Sequence, residues 1–174
     1  AFLELTPFLS NEISDQENYS IINYQLKGGY PRSYLAKSEK SSLRWRQNYI
    51  KTFLERDIPA LGFTLTSQQI SRFWQMLAHS HGKVMNFSKI GDSLGISHVT
   101  ARKYIDILTS TYMFRELLPY ETNAKKRLVK SPKYYIRDSG ILHALLDISD
   151  YNSLMGHPAF GSSWEGVIIE NILS

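Results

Sequence analysis

Phe87-Ser-Lys-Ile-Gly-Asp-Ser-Leu-Gly-Ile-Ser-His-Val-Thr-Ala-Arg-Lys-Tyr-Ile-Asp-Ile-Leu108 is the stretch whose reading decides the fold. Ile90 and Leu94 stand one helical turn apart, so they share a face of a first helix over 87–94. Gly95 follows where a chain leaving a helix often needs positive φ. Ser97 carries an oxygen able to cap a second helix over 97–111. Ile96 is expected to plug the angle between the helices, with Val99, Ile105 and Leu108 facing inward. Two short helices set at an angle by a tight turn are the pattern of a helix-turn-helix. Ser97, His98, Thr100, Arg102 and Lys103 then lie near the exposed start of the second helix, where a recognition helix meets base edges and phosphates.

Downstream, 114–120 and 128–136 read as strands around the basic connection 122–127. They would make a β-wing, with Lys125, Lys126 and Arg127 at its tip. Upstream, Thr66-Ser-Gln-Gln69 has capping-box spacing and opens a helix whose apolar face is Ile70, Phe73, Trp74 and Leu77, ended near Gly82. A helix over 41–56 gathers Leu43, Tyr49, Ile50, Phe53 and Leu54 on one side. Before it, a short helix over 19–26 runs into the turn Gly28-Gly-Tyr-Pro31. Residues 1–5 suggest a strand leading into a helix that starts at Pro7, and 10–18 a polar loop. Past the wing, Asp138 is placed to cap a helix over 138–146, and Ser162-Ser-Trp-Glu165 to open a last one from about 163.

Composition bounds the class. The chain of 174 residues is 43% hydrophobic and 21% charged, which suits a soluble globular protein of one sizeable domain or two small ones. It has no cysteine, which removes disulfides and thiolate metal sites and fits a reducing, cytoplasmic setting. No apolar run reaches the roughly 20 residues of a membrane-spanning helix. The first residue is not methionine and the last apolar stretch has no cap, so the ends read as cuts in a longer protein.

The net charge of +4 is unevenly spread. Residues 97–133 hold 8 Lys/Arg against 3 Asp/Glu, whereas 134–174 hold 1 against 5. Such asymmetry points to an anionic partner for the middle segment, and equally suits a solvated basic surface.

Other motifs are discounted on context. Gly91-Asp-Ser-Leu-Gly95 matches G-x-S-x-G, but a nucleophile elbow needs a strand before its serine, and here the left flank is helical. Lys37-Ser38 has no glycine of a phosphate loop before it, so the segment is not expected to hydrolyse a nucleotide. His79 and His81 stand two apart, on different helix faces, and no metal site is expected.

Several segments together resemble a known family. They are Glu4-Leu-Thr-Pro-Phe8, Gly28-Gly-Tyr-Pro-Arg32, Phe53-Leu-Glu-Arg-Asp-Ile-Pro59, Leu94-Gly-Ile-Ser97, Leu118-Pro-Tyr120, Lys126 to Leu142, and Gly161 to Glu165. The chain resembles the bacterial and archaeal AAA-type ATPases in which an N-terminal P-loop core is fused to a C-terminal domain of unknown function. The resemblance implies a mostly α fold with a small β-wing. Residues 1–8 would be the last strand of the ATPase core, 9–66 a helical lid or linker, and 67–136 a winged helix-turn-helix. Residues 137–174 would start a restriction-endonuclease-like domain, truncated here.

Gly28, Gly29 and Pro31 are similar to a glycine–proline motif that related ATPases set beside the nucleotide base. ATP and Mg are implied for the parent alone, because the Walker motifs are missing. The strand with Asp and Glu-x-Lys that would bind metal in the nuclease-like domain is missing too. DNA is the first expected partner. A protein partner or self-association through the winged helix is the second, and a nuclease-like effector for which this region is scaffold the third.

Overall fold

A computed structural model describes residues 5–62, 66–120 and 131–174. The described chain is mostly helical, with one small antiparallel sheet of three strands. No described helix is long and apolar enough to cross a membrane. Two compact units divide it: Ala1–Phe53 with Asp138–Ser174, and Leu54–Arg137. Residues 138–174 thus share a unit with 1–53.

The first unit holds α1 (Ser10–Ile13), α2 (Ile21–Lys27), α3 (Pro31–Tyr34), α4 (Glu39–Thr52), α9 (Ser139–Leu145), α10 (Tyr151–Met155) and α11 (Phe160–Leu173). All seven residues of α9 are buried, and this helix packs against α2, α4 and α11. Ile13, Tyr24, Tyr34 and Val167 form a core cluster, with Phe8 and Tyr19 against it.

Several local expectations fail here. The strand expected over 1–5 lies, but for Leu5, outside the described residues; Pro7 opens no helix, and the first helix starts at Ser10, inside the expected loop. In α4 the deepest positions are Ser42 and Arg46, not the apolar set, of which Leu43, Tyr49 and Ile50 are half-buried. The α11 helix begins at Phe160, three residues before the expected start, with Ala159 at its N-cap and no side-chain cap. Ser163 therefore lies inside the helix, so 162–165 is no capping box. The α11 face that is buried carries Ser163, Gly166, Val167 and Glu170, leaving Trp164, Ile168 and Ile172 outward.

The second unit runs α5 (Ile58–Ala60), α6 (Ser67–His79), β1 (Lys83–Val84), α7 (Phe87–Leu94), α8 (His98–Ser110), β2 (Phe114–Leu117) and β3 (Lys133–Ile136). A π-helical turn, Phe53–Asp57, links α4 to α5. Pro59 explains it, because a proline ring cannot accommodate the carbonyl four residues back in a regular helix.

Thr66 caps α6 as expected, through the amide of Gln69. Ile70, Phe73, Trp74 and Leu77 are fully buried on its inner face. The strands are shorter than expected, and the order is β1-β3-β2, with Lys83 opposite Tyr134 and Phe114 opposite Ile136. The two-residue strand β1 was not foreseen.

Candidate functional site

The α7–α8 pair is built by local chemistry. Asn86 caps α7 through the amide of Lys89, and Gly95 leaves the helix in the left-handed region at φ 65°. The Ile96 amide then donates to the Gly91 carbonyl at 2.9 Å. A side chain at 91 would stand 2.6 Å from the Ile96 carbonyl oxygen, so the turn closes this tightly because residue 91 is glycine. That accounts for the discounted G-x-S-x-G spacing. Ser97 accepts from the Thr100 amide at 3.1 Å and caps α8, and its hydroxyl lies 2.9 Å from that of Thr100.

The expected contact residues divide into free and held. Ser97, His98 and Lys103 are exposed; Thr100 is half-buried. Arg102 is held: its guanidinium donates to the Tyr134 hydroxyl at 3.1 Å and lies 3.4 Å from Asp106 and 3.8 Å from Glu116. It also covers the Phe87 ring, 5.4 Å from the centroid. Tyr134 in turn donates to Glu116 at 3.0 Å. Burial first, and then this bond to a carboxylate, push the Tyr134 hydroxyl up to about 12.

Ile105 and Leu108 face inward as expected, but Val99 does not. It is 52% exposed on the first turn of α8, where Ala101 and Tyr104 take the buried positions. Lys125, Lys126 and Arg127 lie outside the described residues.

Gly28, Gly29 and Pro31 sit in a different setting. Gly28 takes φ 74° and Gly29 follows it; both are buried, whereas Pro31 is exposed at the first position of α3. The Gly29 amide donates to Asp138 at 2.8 Å, and its carbonyl accepts from Phe8 at 2.9 Å. Asp138 accepts as well from Ile141 at 2.8 Å, capping α9 as expected.

Beside it Arg46, fully buried, donates to the carbonyls of Leu26 at 3.1 Å and Gly140 at 2.8 Å. Its Nη2 has no hydrogen-bond partner among the described residues. Burial lowers the Arg46 guanidinium to about 10 and raises the Asp138 carboxyl, so each charge is costly where it sits. His143, also fully buried, donates from Nδ1 to the Leu26 carbonyl at 3.0 Å, with Nε2 2.8 Å from the Ser163 hydroxyl. This polar cluster ties α2, α4, α9 and α11 together. The sequence pattern marks Ser163 only as part of a helix start and does not mark Arg46 or His143. No group of three metal-ligating side chains forms among the described residues.

Residues 18–152, a span that takes in the Gly28–Asp138 pairing and the α7–α8 pair, match the model of a domain of unknown function, DUF8612. The chain belongs to this family. Two curated relatives are similar to this chain: the uncharacterized protein Rv2008c of Mycobacterium tuberculosis and the uncharacterized protein Mb2031c of Mycobacterium bovis. Each is 44% identical over 147 residues, covering 84% of this chain but 33% of the relative. The DUF8612 chain thus spans about a third of the length of these relatives. No solved structure matches it.

Proposed function

We propose that residues 67–136 are a winged helix-turn-helix that binds duplex DNA through the leading edge of α8, within a longer AAA-type ATPase. The observation that carries this reading is the free first turn of α8. His98 stands exposed on it and Lys103 on the turn after, beyond a bend that closes tightly at Gly91 and angles α8 against α7. The element order supports it too: helix, strand, two helices, then two strands, with β3 central. The wing would be the β2–β3 connection, and Lys125, Lys126 and Arg127 its phosphate contacts. ATP and Mg belong to the parent, because no residues here form a phosphate loop. In that parent, Pro31 is the exposed member of the nucleotide-sensing set, and Gly28 and Gly29 seat it. Residues 137–174 would lead into the nuclease-like domain.

Electrophoretic shifts over a salt series test the reading. Each phosphate contact adds about −0.9 to the log–log slope, so Lys103→Ala should flatten it by about that amount. An absence of binding at low salt would remove DNA as the partner. A second reading, a protein-interaction module, is favoured by Arg102, whose charge is already answered by Asp106 and Glu116. Under it, Lys103→Ala leaves nucleic acid unaffected and weakens self-association or a protein complex.

A further inference from the structure

We infer that Val99 reads a thymine methyl group in the major groove, making it a specificity-determining residue of α8; this rests on the DNA-binding reading above. The Val99 isopropyl group is 52% exposed, whereas the inner face of α8 is filled by the buried Ala101, Tyr104, Ile105 and Leu108. Helix periodicity sets Val99 on the face of Arg102 and Lys103, three and four residues on. His98 is exposed beside it. The apolar spot is therefore bordered by cationic and hydrogen-bonding groups, which fits an anionic duplex better than an apolar protein surface.

Arg102 is drawn back toward β2 and β3 by Glu116 and Tyr134 and neutralised by Asp106 one turn along. The bidentate grip on guanine that an arginine usually supplies is thus not what this edge presents. What remains forward on the first two turns is an imidazole, a branched apolar group and a lysine. In the major groove the thymine C5-methyl is the feature an apolar side chain can recognise.

The test uses the 174-residue chain. A preferred duplex is selected from a randomised pool, and each thymine is then replaced singly by deoxyuridine, which removes the methyl and keeps every hydrogen-bonding group. The expected result is a loss of about fourfold in affinity at one position per bound chain, the equivalent of one buried methyl group. Val99→Ala should bind thymine and uracil duplexes equally at that position, with an unchanged melting temperature because the side chain is exposed.

If the wild-type chain shows no thymine preference at any position, or if Val99→Ala keeps one, the inference fails. Should Lys103→Ala still weaken binding in that case, the DNA reading stands without Val99. If no duplex is bound even at low salt, both fall together.

Discussion

The carboxylate of Asp138 occupies the space that a side chain at Gly28 would need. A Cβ built at residue 28 lands on both Asp138 oxygens, and the backbone there has φ 74°. The two residues interlock although they lie on opposite sides of the second unit in the sequence.

Gly28→Ala should therefore cost more than its backbone strain. Gly62 offers the control: it also has positive φ, at 84°, but nothing lies within 4 Å of a built Cβ. Urea denaturation should show a loss of about 1 kcal/mol for Gly62→Ala, the ordinary penalty for an L-residue in this region. Gly28→Ala should lose about 3 kcal/mol, since it displaces a capping carboxylate as well. Equal losses would mean the carboxylate yields without cost.

Asp138 gives the chain a pH dependence of definite sign. Burial raises its carboxyl above the ordinary 3.8. The folded chain thus binds this proton more tightly than the unfolded one. Stability from this group is full below 3.8 and falls as pH rises through the raised value. Urea midpoints of the wild type should decline relative to Asp138→Asn across that window. The amide keeps an accepting oxygen and never ionises. Parallel curves would contradict the claim.

Glu116 restrains Arg102, and its removal should release it. The two side chains are 31% and 47% exposed, so their pairing contributes less than about 1 kcal/mol to stability, and Glu116→Gln should fold normally. Under the proposed function the freed guanidinium reaches the duplex, and affinity should rise severalfold in a gel-shift titration at fixed salt. A weaker complex would show instead that Glu116 positions Arg102 for contact.

Ser97→Ala removes an N-cap whose oxygen accepts the Thr100 amide. The expected cost is about 1 kcal/mol in thermal or denaturant unfolding. Ser97→Asp should restore most of it. A neutral alanine variant would imply that Thr100 or water replaces the cap.

Features set by near neighbours were legible in the sequence. Gly95, Ser97, Thr66 and Asp138 each act within three or four residues, and each does locally what its chemistry suggested. Features set at a distance were not. Arg46 shares the α4 face of Leu43 and Ile50, but nothing near it in sequence shows that the carbonyls of Leu26 and Gly140 receive its protons and let a charged residue be buried there. Val99 fits an inward pattern, but the inner face of α8 is filled without it. Arg102 looked free because its hydroxyl and one of its two carboxylate partners come from strands well downstream. Two residues of strand, as in β1, leave no alternation to detect.

The first unit is assembled from two stretches of chain with the second unit encoded between them. During synthesis, Arg46 and the Gly28 turn emerge long before Gly140 and Asp138 do. The early stretch must wait, with a cation and several polar groups unanswered, until the ribosome has delivered the whole intervening unit. The two flanks can therefore meet only after the middle of the chain has been made.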